Sequence, residues 1–188
     1  MKAAKFLAAS TCLLTLSAAP ALAENATVGV EAGVTASRFS PSPDGESVTL
    51  GGGAIAGFYV VVPILKSVSF VPELVYVQRY ASRTTAAGAG SEKIEYVQIP
   101  LLAKMPFYFH TYISEGVTVS FPVHVVGASQ SLSQTTSPDI GIVIGGGTDL
   151  GKFAIEFRYD GGVRRVSTRD TDPIQRTRSF MLLVKLHF

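Results

Sequence analysis

The chain has 188 residues, of which 47% are hydrophobic and 16% charged, and it holds one cysteine and no tryptophan. Its 16 lysines and arginines stand against 14 aspartates and glutamates, a formal net charge of +2, so the clear basic excess of a nucleic-acid binder is absent. A single cysteine excludes an internal disulfide framework and a cysteine-rich metal site. One domain is expected at this length.

The first 23 residues have the order of a secretory signal peptide. Two lysines precede an apolar run that ends at Leu16, and small residues follow, which predicts cleavage after Ala23. The run is too short to cross a bilayer as a helix. Cys12 lies inside it without the pattern of a lipoprotein site, so we do not expect lipidation. We predict a signal peptide over 1–23 and one domain over 24–188, which lacks cysteine and balances 14 basic against 14 acidic residues.

The rest of the chain alternates between apolar and small or polar residues in stretches of ten or more, and no segment keeps a helical period. Clusters of Gly, Pro, Ser, Asp and Thr separate these stretches. We predict eight strands, at about 27–39, 48–62, 68–83, 92–107, 114–128, 139–150, 153–160 and 179–188. Long connections are expected to begin near Ser40, Thr84, Ser129 and Gly161, with short turns between them.

The first four strands each pair an apolar face with a face of small or charged residues. In strand one, valines and alanines oppose Glu31, and in strand two three glycines lie opposite the face of Phe58. Strand three places Glu73 and Arg79 on one face, and strand four places Lys104 opposite a run of apolar side chains. Small residues on the second face would leave room inside a narrow barrel.

The turn after strand four is rich in aromatic residues, since Tyr108, Phe109 and Tyr112 stand where an interfacial girdle would lie. In strand five the valines oppose Thr118 and His124, so His124 is predicted to face inward. Proline disrupts strand pairing, which predicts local β-bulges. The prolines inside predicted strands are Pro72, Pro100 and Pro122.

The last three strands give the clearest alternation. Strand six sets isoleucines against glycines and Asp149, and strand seven places three charged residues in succession on one face, which cannot face lipid. Strand eight has an uninterrupted apolar face from Phe180 to Phe188, which at a tilt of about 40° spans roughly 20 Å. Its terminal aromatic residue resembles the carboxy-terminal signal that the barrel-assembly machinery of outer membranes reads.

These features predict an all-β fold, an eight-stranded antiparallel up-and-down transmembrane β-barrel that follows a cleaved signal peptide. The alternatives are a soluble sandwich and a lipocalin-like barrel, both of which turn the apolar face inward. The second face is a poor solvated surface but suits a narrow interior in which charges pair. The predicted interior charge network comprises Glu31, Glu73, Arg79, Lys104, Asp149, Glu156, Arg158 and Asp160.

With the strands placed, the sequence resembles the PorT-like outer-membrane β-barrel family. The resemblance rests on Pro72–Tyr76, Val97–Lys104, Gly145–Gly151 and Phe157–Asp160, which follow the family's order over most of the domain. The run Gly116–Val126 in strand five departs from the family's pattern. The resemblance implies little about activity, because members are described chiefly by fold and location and some look like accessory factors of secretion.

Catalytic and metal-binding patterns are weak. His124 with Ser129 or Ser131 could form an acyl-transfer pair, but the spacing does not match the arrangement of lipid A acylhydrolases and His124 is predicted to face inward. The glycines of Gly145–Gly147 lack the lysine and the helix of a phosphate-binding loop, so strand packing explains them better. Dispersed histidines do not predict a metal site. They are His110, His124 and His187.

A group of arginines near the last long connection is the strongest candidate binding surface. Arg165, Arg169, Arg176 and Arg178 surround it, and arginine suits phosphate through bidentate hydrogen bonds. We predict contact with the phosphates of lipopolysaccharide. The alternative is a solvated loop in which these residues pair with nearby aspartates.

The sequence thus predicts a monomeric integral protein of a Gram-negative outer membrane with periplasmic termini, no cofactor and no nucleic-acid partner. Its expected partners are outer-membrane lipid, lipopolysaccharide and, during insertion, the barrel-assembly machinery. A structural, adhesive or envelope and secretion accessory role through external loops is expected. The alternatives are a narrow porin or solute channel and an envelope lipid-modifying enzyme.

Overall fold

A computed structural model describes residues 26–39, 47–85, 88–126, 138–162 and 177–188. In these ranges each strand pairs with the strands before and after it, and the first pairs with the last, so the sheet closes into an antiparallel up-and-down barrel. The strands are β1 (Thr27–Phe39), β2 (Ser47–Leu65), β3 (Val68–Thr85), β4 (Gly88–Pro106), β5 (Thr111–Val126), β6 (Asp139–Leu150), β7 (Phe153–Gly162) and β8 (Thr177–His187). The predicted fold class is confirmed. The described ranges contain no helix long and apolar enough to span a membrane.

The two ends of the barrel differ in their connections. We call the end with the connections 66–67, 107–110 and 151–152 the turn end, and it also holds Phe188. The other end, where β1 passes to β2, β3 to β4, β5 to β6 and β7 to β8, is the loop end. The signal peptide predicted over 1–23 lies outside the described residues.

The β3 to β4 hairpin is longer than predicted at the loop end. The β3 to β4 ladder continues to the pair Thr85 and Gly88, so most of the stretch that we predicted as a flexible connection is strand. Its serines, threonines and glycines give no apolar alternation, but main-chain pairing needs none. At the turn end β5 begins at Thr111 rather than at Ser114.

The strands turn their apolar faces outward and their charged faces inward. In β7, Ile155 and Phe157 are 46% and 55% exposed, whereas Glu156 and Arg158 are each 1% exposed. A soluble barrel requires the reverse, so both water-soluble alternatives are excluded. The outer surface is therefore suited to hydrocarbon.

Aromatic side chains lie on the outer surface toward both ends of this apolar belt. The Tyr159 and Phe157 rings lie 5.2 and 6.0 Å from the Phe180 ring toward the loop end. Near the turn end the exposed aromatic residues are Phe107, Tyr108, Phe109, Phe153 and Phe188. The girdle position predicted for Tyr112 is wrong. Because β5 starts earlier than predicted, Tyr112 is a strand residue with inward parity, and it is buried.

The prolines disturb the ladder less than predicted. A register shift separates the pair Tyr96 and Pro122 from the next pair, so the predicted bulge at Pro122 is present. Pro72 lies opposite Leu101 and no register shift follows, which makes the bulges predicted at Pro72 and at Pro100 wrong. The pairing is simply interrupted for two residues after Pro72, because a proline cannot donate a ladder hydrogen bond but need not insert a residue.

The barrel interior contains apolar layers as well as charges. One cluster joins Ile55 and Leu183 with their neighbours, and a second joins Tyr59 and Leu102 with theirs. A Cβ added at Gly147 would lie 2.6 Å from the Tyr112 ring, so glycine there makes room for Tyr112. This packing supports the structural interpretation of the Gly145–Gly147 run.

Candidate functional site

The centre of the barrel interior is an ion-pair network built around Arg158 of β7. Its guanidinium donates to both carboxylate oxygens of Glu73 at 2.7 and 3.0 Å. It also donates two hydrogen bonds, of 2.9 and 3.0 Å, to Oε1 of Glu156. Ser114 and Tyr112 donate to the same Glu156 carboxylate at 2.8 and 3.1 Å. A buried charge is tolerated when it is paired and hydrogen-bonded in this way.

Lys185 of β8 completes this central network. Its ammonium lies 2.8 Å from Glu73, 2.8 Å from Glu156 and 3.2 Å from Glu31. Our sequence prediction omitted Lys185, although its parity with the buried Met181 and Leu183 would have revealed it. The network thus joins β1, β3, β7 and β8 across the barrel axis.

A second network lies nearer the loop end. Arg79 of β3 pairs with Asp160 of β7 at 2.6 Å and lies 5.0 Å from the centre of the Tyr96 ring. Gln98 of β4 donates to the same Asp160 carboxylate at 3.3 Å and to Ser120 at 2.6 Å. These contacts link β7 across the interior to β3 and β4, neither of which is its neighbour in the sheet.

A third network occupies the turn end. Lys104 donates to both oxygens of Asp149 at 2.9 and 2.8 Å and lies 3.9 Å from the centre of the Tyr112 ring. His187 is 3.6 Å from Asp149 and hydrogen-bonded at 2.8 Å to the Tyr59 hydroxyl. All eight residues that we predicted for the interior therefore lie in one of these three networks.

The networks leave little free space inside. A cavity of about 10 Å³ lies between the central and the turn-end networks, which is room for about one water molecule. Tyr59, Tyr112 and Leu102 are among the residues that line it. The described interior is therefore filled by side chains rather than open as a channel.

His124 does not lie where we predicted it. The bulge next to Pro122 inserts one residue, so His124 pairs with Glu95 on the outer face and is exposed. A one-residue shift reverses the faces of a strand. Ser129 and Ser131, the partners that an acyl-transfer pair would need, lie outside the described residues.

The histidines are far apart in the described barrel: His110 stands in a turn, His124 at the loop end of β5 and His187 at the turn end of β8. Within the described ranges, no group of three or more histidine, cysteine, aspartate or glutamate residues is arranged to hold a metal ion.

The outer rim at the loop end carries adjacent arginines. Arg178 of β8 is exposed and lies directly opposite Arg38 of β1, which is also exposed. We did not predict Arg38 as part of this surface, although it shares the outward parity of the β1 valines. The other predicted members, Arg165, Arg169 and Arg176, lie outside the described residues.

Solved structures of small bacterial barrels match this geometry. Neisserial surface protein A matches with a TM-score of 0.60 and 12% identity, over 87% of this chain and 99% of that chain. The chain has the fold of the small outer-membrane β-barrels. Ail, the attachment invasion locus protein of Yersinia pestis, matches in its complex with the heparin analogue sucrose octasulfate, with a TM-score of 0.53, 10% identity and coverage of 87% and 99%.

A backbone structure of Ail in a phospholipid bilayer nanodisc matches with a TM-score of 0.50 and 12% identity, over 87% of this chain and 100% of that chain. No family model matches the chain, and no curated protein matches it. The likeness is therefore one of fold.

Proposed function

We propose that the protein is an integral, non-enzymatic protein of a Gram-negative outer membrane that anchors adhesive or structural segments at the cell surface. The observation that carries this proposal is the combination of an apolar outer belt with an interior filled by ion pairs. Such a barrel is stable in a bilayer, and its lumen is too narrow for transport of solutes.

The orientation that we propose places the turn end in the periplasm. Outer-membrane barrels have short periplasmic turns and longer external loops. The turn-end connections 66–67, 107–110 and 151–152 are two to four residues long. Three of the four loop-end connections, 40–46, 127–138 and 163–176, have seven residues or more, and the fourth, 86–87, has two. Two solved structures with this fold are named as a surface protein and as an attachment invasion locus protein. These names support the proposal that the external segments carry the function of this protein.

Accessibility on whole cells tests this orientation. An epitope inserted into 163–176 should be detected by antibody on intact cells, whereas one inserted after Gly151 should be detected only after the outer membrane is permeabilised. Detection of the Gly151 epitope on intact cells would contradict the proposed orientation. Loss of both signals from the outer-membrane fraction would contradict the location.

We also propose that the arginines at the loop end bind phosphate groups of lipopolysaccharide. Arg38 and Arg178 lie directly opposite each other on neighbouring strands, and like charges so placed repel unless an anion neutralises them. With the described residues neither forms an ion pair. Both point outward at the edge of the apolar belt, and arginine binds phosphate bidentately. The polysulfated ligand of Ail shows that a barrel of this fold can bind a densely anionic molecule.

Removal of these charges tests the lipopolysaccharide contact. The double variant Arg38→Ser with Arg178→Ser should retain severalfold less lipopolysaccharide on purification than the unchanged protein. Its matched control is Lys66→Ser with Lys152→Ser, which removes two exposed charges at the turn end. Equal lipopolysaccharide in both variants, or equal binding of lipid A with and without its phosphates, would remove the proposal.

A finer assignment follows from the PorT-like resemblance. We propose on its motifs that the protein acts as an accessory factor of envelope secretion. The motifs Pro72–Tyr76 and Val97–Lys104 belong to adjacent strands of the barrel. Unchanged secreted proteins in a strain that lacks the gene would contradict this assignment and leave the membrane location untouched.

A further inference from the structure

Glu115 of β5 is a charged residue on the apolar outer face of the barrel. It is exposed on the outer surface, between the exposed Ile113 and Val117 of the same strand. Its cross-strand neighbours are Ala103 and Ile144. With the residues that the structure describes, its carboxylate forms no hydrogen bond or ion pair. An ionisable group on a lipid-facing surface is costly unless it is paired, so we look for a partner of Glu115 outside the chain.

The position of Glu115 differs from that of the other outward charges. Those at the loop end border the apolar belt, and those at the turn end lie in turns. They are Arg38, Lys93, Glu95, Arg178, Lys66 and Lys152. Among the described outward positions between them, Glu115 alone is charged. Lys93 and Glu95 moreover pair with each other at 2.6 Å, so they need no further partner.

The depth of Glu115 is within reach of the membrane surface at the turn end. Ile113 is the one apolar outward residue of β5 between Glu115 and the turn end, and two residues of a tilted strand span about 5 Å along the barrel axis. A glutamate side chain of this reach can direct its carboxylate toward the polar interface while its stem stays among apolar groups.

A shallow groove begins at this carboxylate. Its volume is about 590 Å³, and Glu115 forms part of its wall together with Phe70, Leu101, Ala103, Ile142 and Ile144. The small outward side chain of Ala103 leaves the depression between larger neighbours. An extended hydrocarbon chain fits a groove of this shape and chemistry.

We propose that this surface binds an ammonium-bearing phospholipid, with the headgroup ammonium on Glu115 and an acyl chain in the groove. The proposal rests on the proposed membrane location. A carboxylate that borders an apolar groove near the interface is complementary to a molecule that carries a primary ammonium above an acyl chain. A second copy of this chain fits less well, because a two-fold contact through this face would bring two carboxylates together.

Native mass spectrometry of the purified barrel tests the site. The protein is mixed with equal amounts of phosphatidylethanolamine and phosphatidylglycerol that carry identical acyl chains. The unchanged protein should retain the ethanolamine lipid with a preference of about fivefold, the factor of an ion pair worth about 1 kcal/mol. Glu115→Gln should abolish this preference.

Two further variants separate the headgroup contact from the groove. Glu95→Gln is the matched control, because it neutralises an outward carboxylate at the opposite end, and it should keep the preference. Ala103→Phe should lower the amount of bound ethanolamine lipid with the carboxylate intact, because it fills the groove.

Three outcomes would overturn the proposal: the same lipid ratio for the unchanged protein and Glu115→Gln, an equal loss in Glu95→Gln, or a dimer mass that disappears with Glu115→Gln and marks a second copy as the occupant. Insertion into vesicles, followed by protease protection, is measured on the same samples. Normal insertion without lipid preference overturns the lipid site alone, whereas failure of the unchanged protein to insert contradicts the membrane location itself.

Discussion

Arg158 is the single side chain on which the interior depends most. It is buried at the axis and binds two carboxylates on different strands, Glu73 and Glu156. Removing one partner of a buried ion pair is strongly destabilising, since it leaves charge without compensation. In this barrel the loss would leave Lys185 as the cation closest to three carboxylates.

We therefore predict that Arg158→Leu lowers the free energy of unfolding by about 3–5 kcal/mol. Urea unfolding in lipid vesicles, followed by the heat-dependent shift of the folded band in electrophoresis, measures it. Arg178→Leu, which removes an exposed arginine, is the control and should change stability by about 0.5 kcal/mol or less. Similar losses in the two variants would show that the central network is not important for stability.

The turn between β4 and β5 stores backbone strain at two residues. Phe109 and His110 have φ angles of 41° and 60°, and the Thr111 amide donates to the Tyr108 carbonyl across them. A two-residue hairpin turn with positive φ at both positions favours asparagine and glycine.

His110→Gly should raise the free energy of unfolding by about 0.5–1 kcal/mol, because glycine adopts this conformation without strain. The same urea titration measures the gain. Lys152→Gly in the β6 to β7 turn is the control. Since Lys152 is not among the residues with positive φ, its replacement should give no gain, and a gain there would contradict the strain argument.

At the residue scale, the sequence predicted well which face of a strand most side chains occupy. It predicted poorly the residues beside a bulge and a charged residue on the outer face. The alternation placed Glu73 and Arg158 correctly. Residues two apart share one face of a strand, and a face that carries charges must point inward when the other face is apolar. The inward direction predicted for His124 was wrong, because the position of a bulge cannot be found from the alternation alone. Glu115 was overlooked because neighbouring valines dominate the pattern of its strand.

At the scale of elements, the outward faces of the strands define how the barrel meets lipid. The outward row of β8 runs from Phe180 to Phe188 without a polar residue, and Val184 is its midpoint. Leu65, by contrast, is exposed beside the turn between β2 and β3. A cation on a lipid face costs most at the middle of the bilayer.

Val184→Arg should therefore lower the free energy of unfolding by about 2–4 kcal/mol, whereas Leu65→Arg should lower it by about 1 kcal/mol or less. Both are measured by urea unfolding in vesicles of the same lipid. Equal losses at the two positions would mean that Val184 does not face the hydrocarbon interior.

Strand number and order followed from the alternation and from the spacing of turn residues, and strand ends did not. The β3 to β4 hairpin extends to Thr85 and Gly88 through residues that the sequence pattern assigns to a loop. Pairing energy comes from main-chain hydrogen bonds with the neighbouring strand, so a polar strand at the loop end leaves no trace in hydrophobicity.

For the whole molecule, the filled interior favours the proposed anchor over a channel. Eight strands leave an interior that side chains can fill, and the three ionic networks occupy it from the turn end toward the loop end. No open path for solutes passes through the described interior.

We predict that the purified protein gives no large steady conductance in planar bilayers. A wide outer-membrane porin reconstituted in parallel provides the positive control. Steady, ion-selective currents from this protein would support the channel alternative and would require the central ion pairs to open.

The fold as a whole was predictable because the same physical constraint acts on every strand. The chain must satisfy its main-chain groups within the membrane, which only a closed sheet allows for strands. The division of the charges into separate networks was not predictable. It depends on the register offset between the strands and on which inward-facing side chains of opposite strands meet across the barrel axis.

The contact between the first and last strands makes assembly an all-or-nothing event. The Phe188 amide donates to the Val28 carbonyl, and the Lys185 ammonium on the last strand reaches Glu31 on the first. Until β8 pairs with β1, β1 has an open edge and the Glu31 carboxylate lacks the Lys185 ammonium. A product that lacks β8 would therefore be left as an unsealed sheet, a ready substrate for envelope proteases.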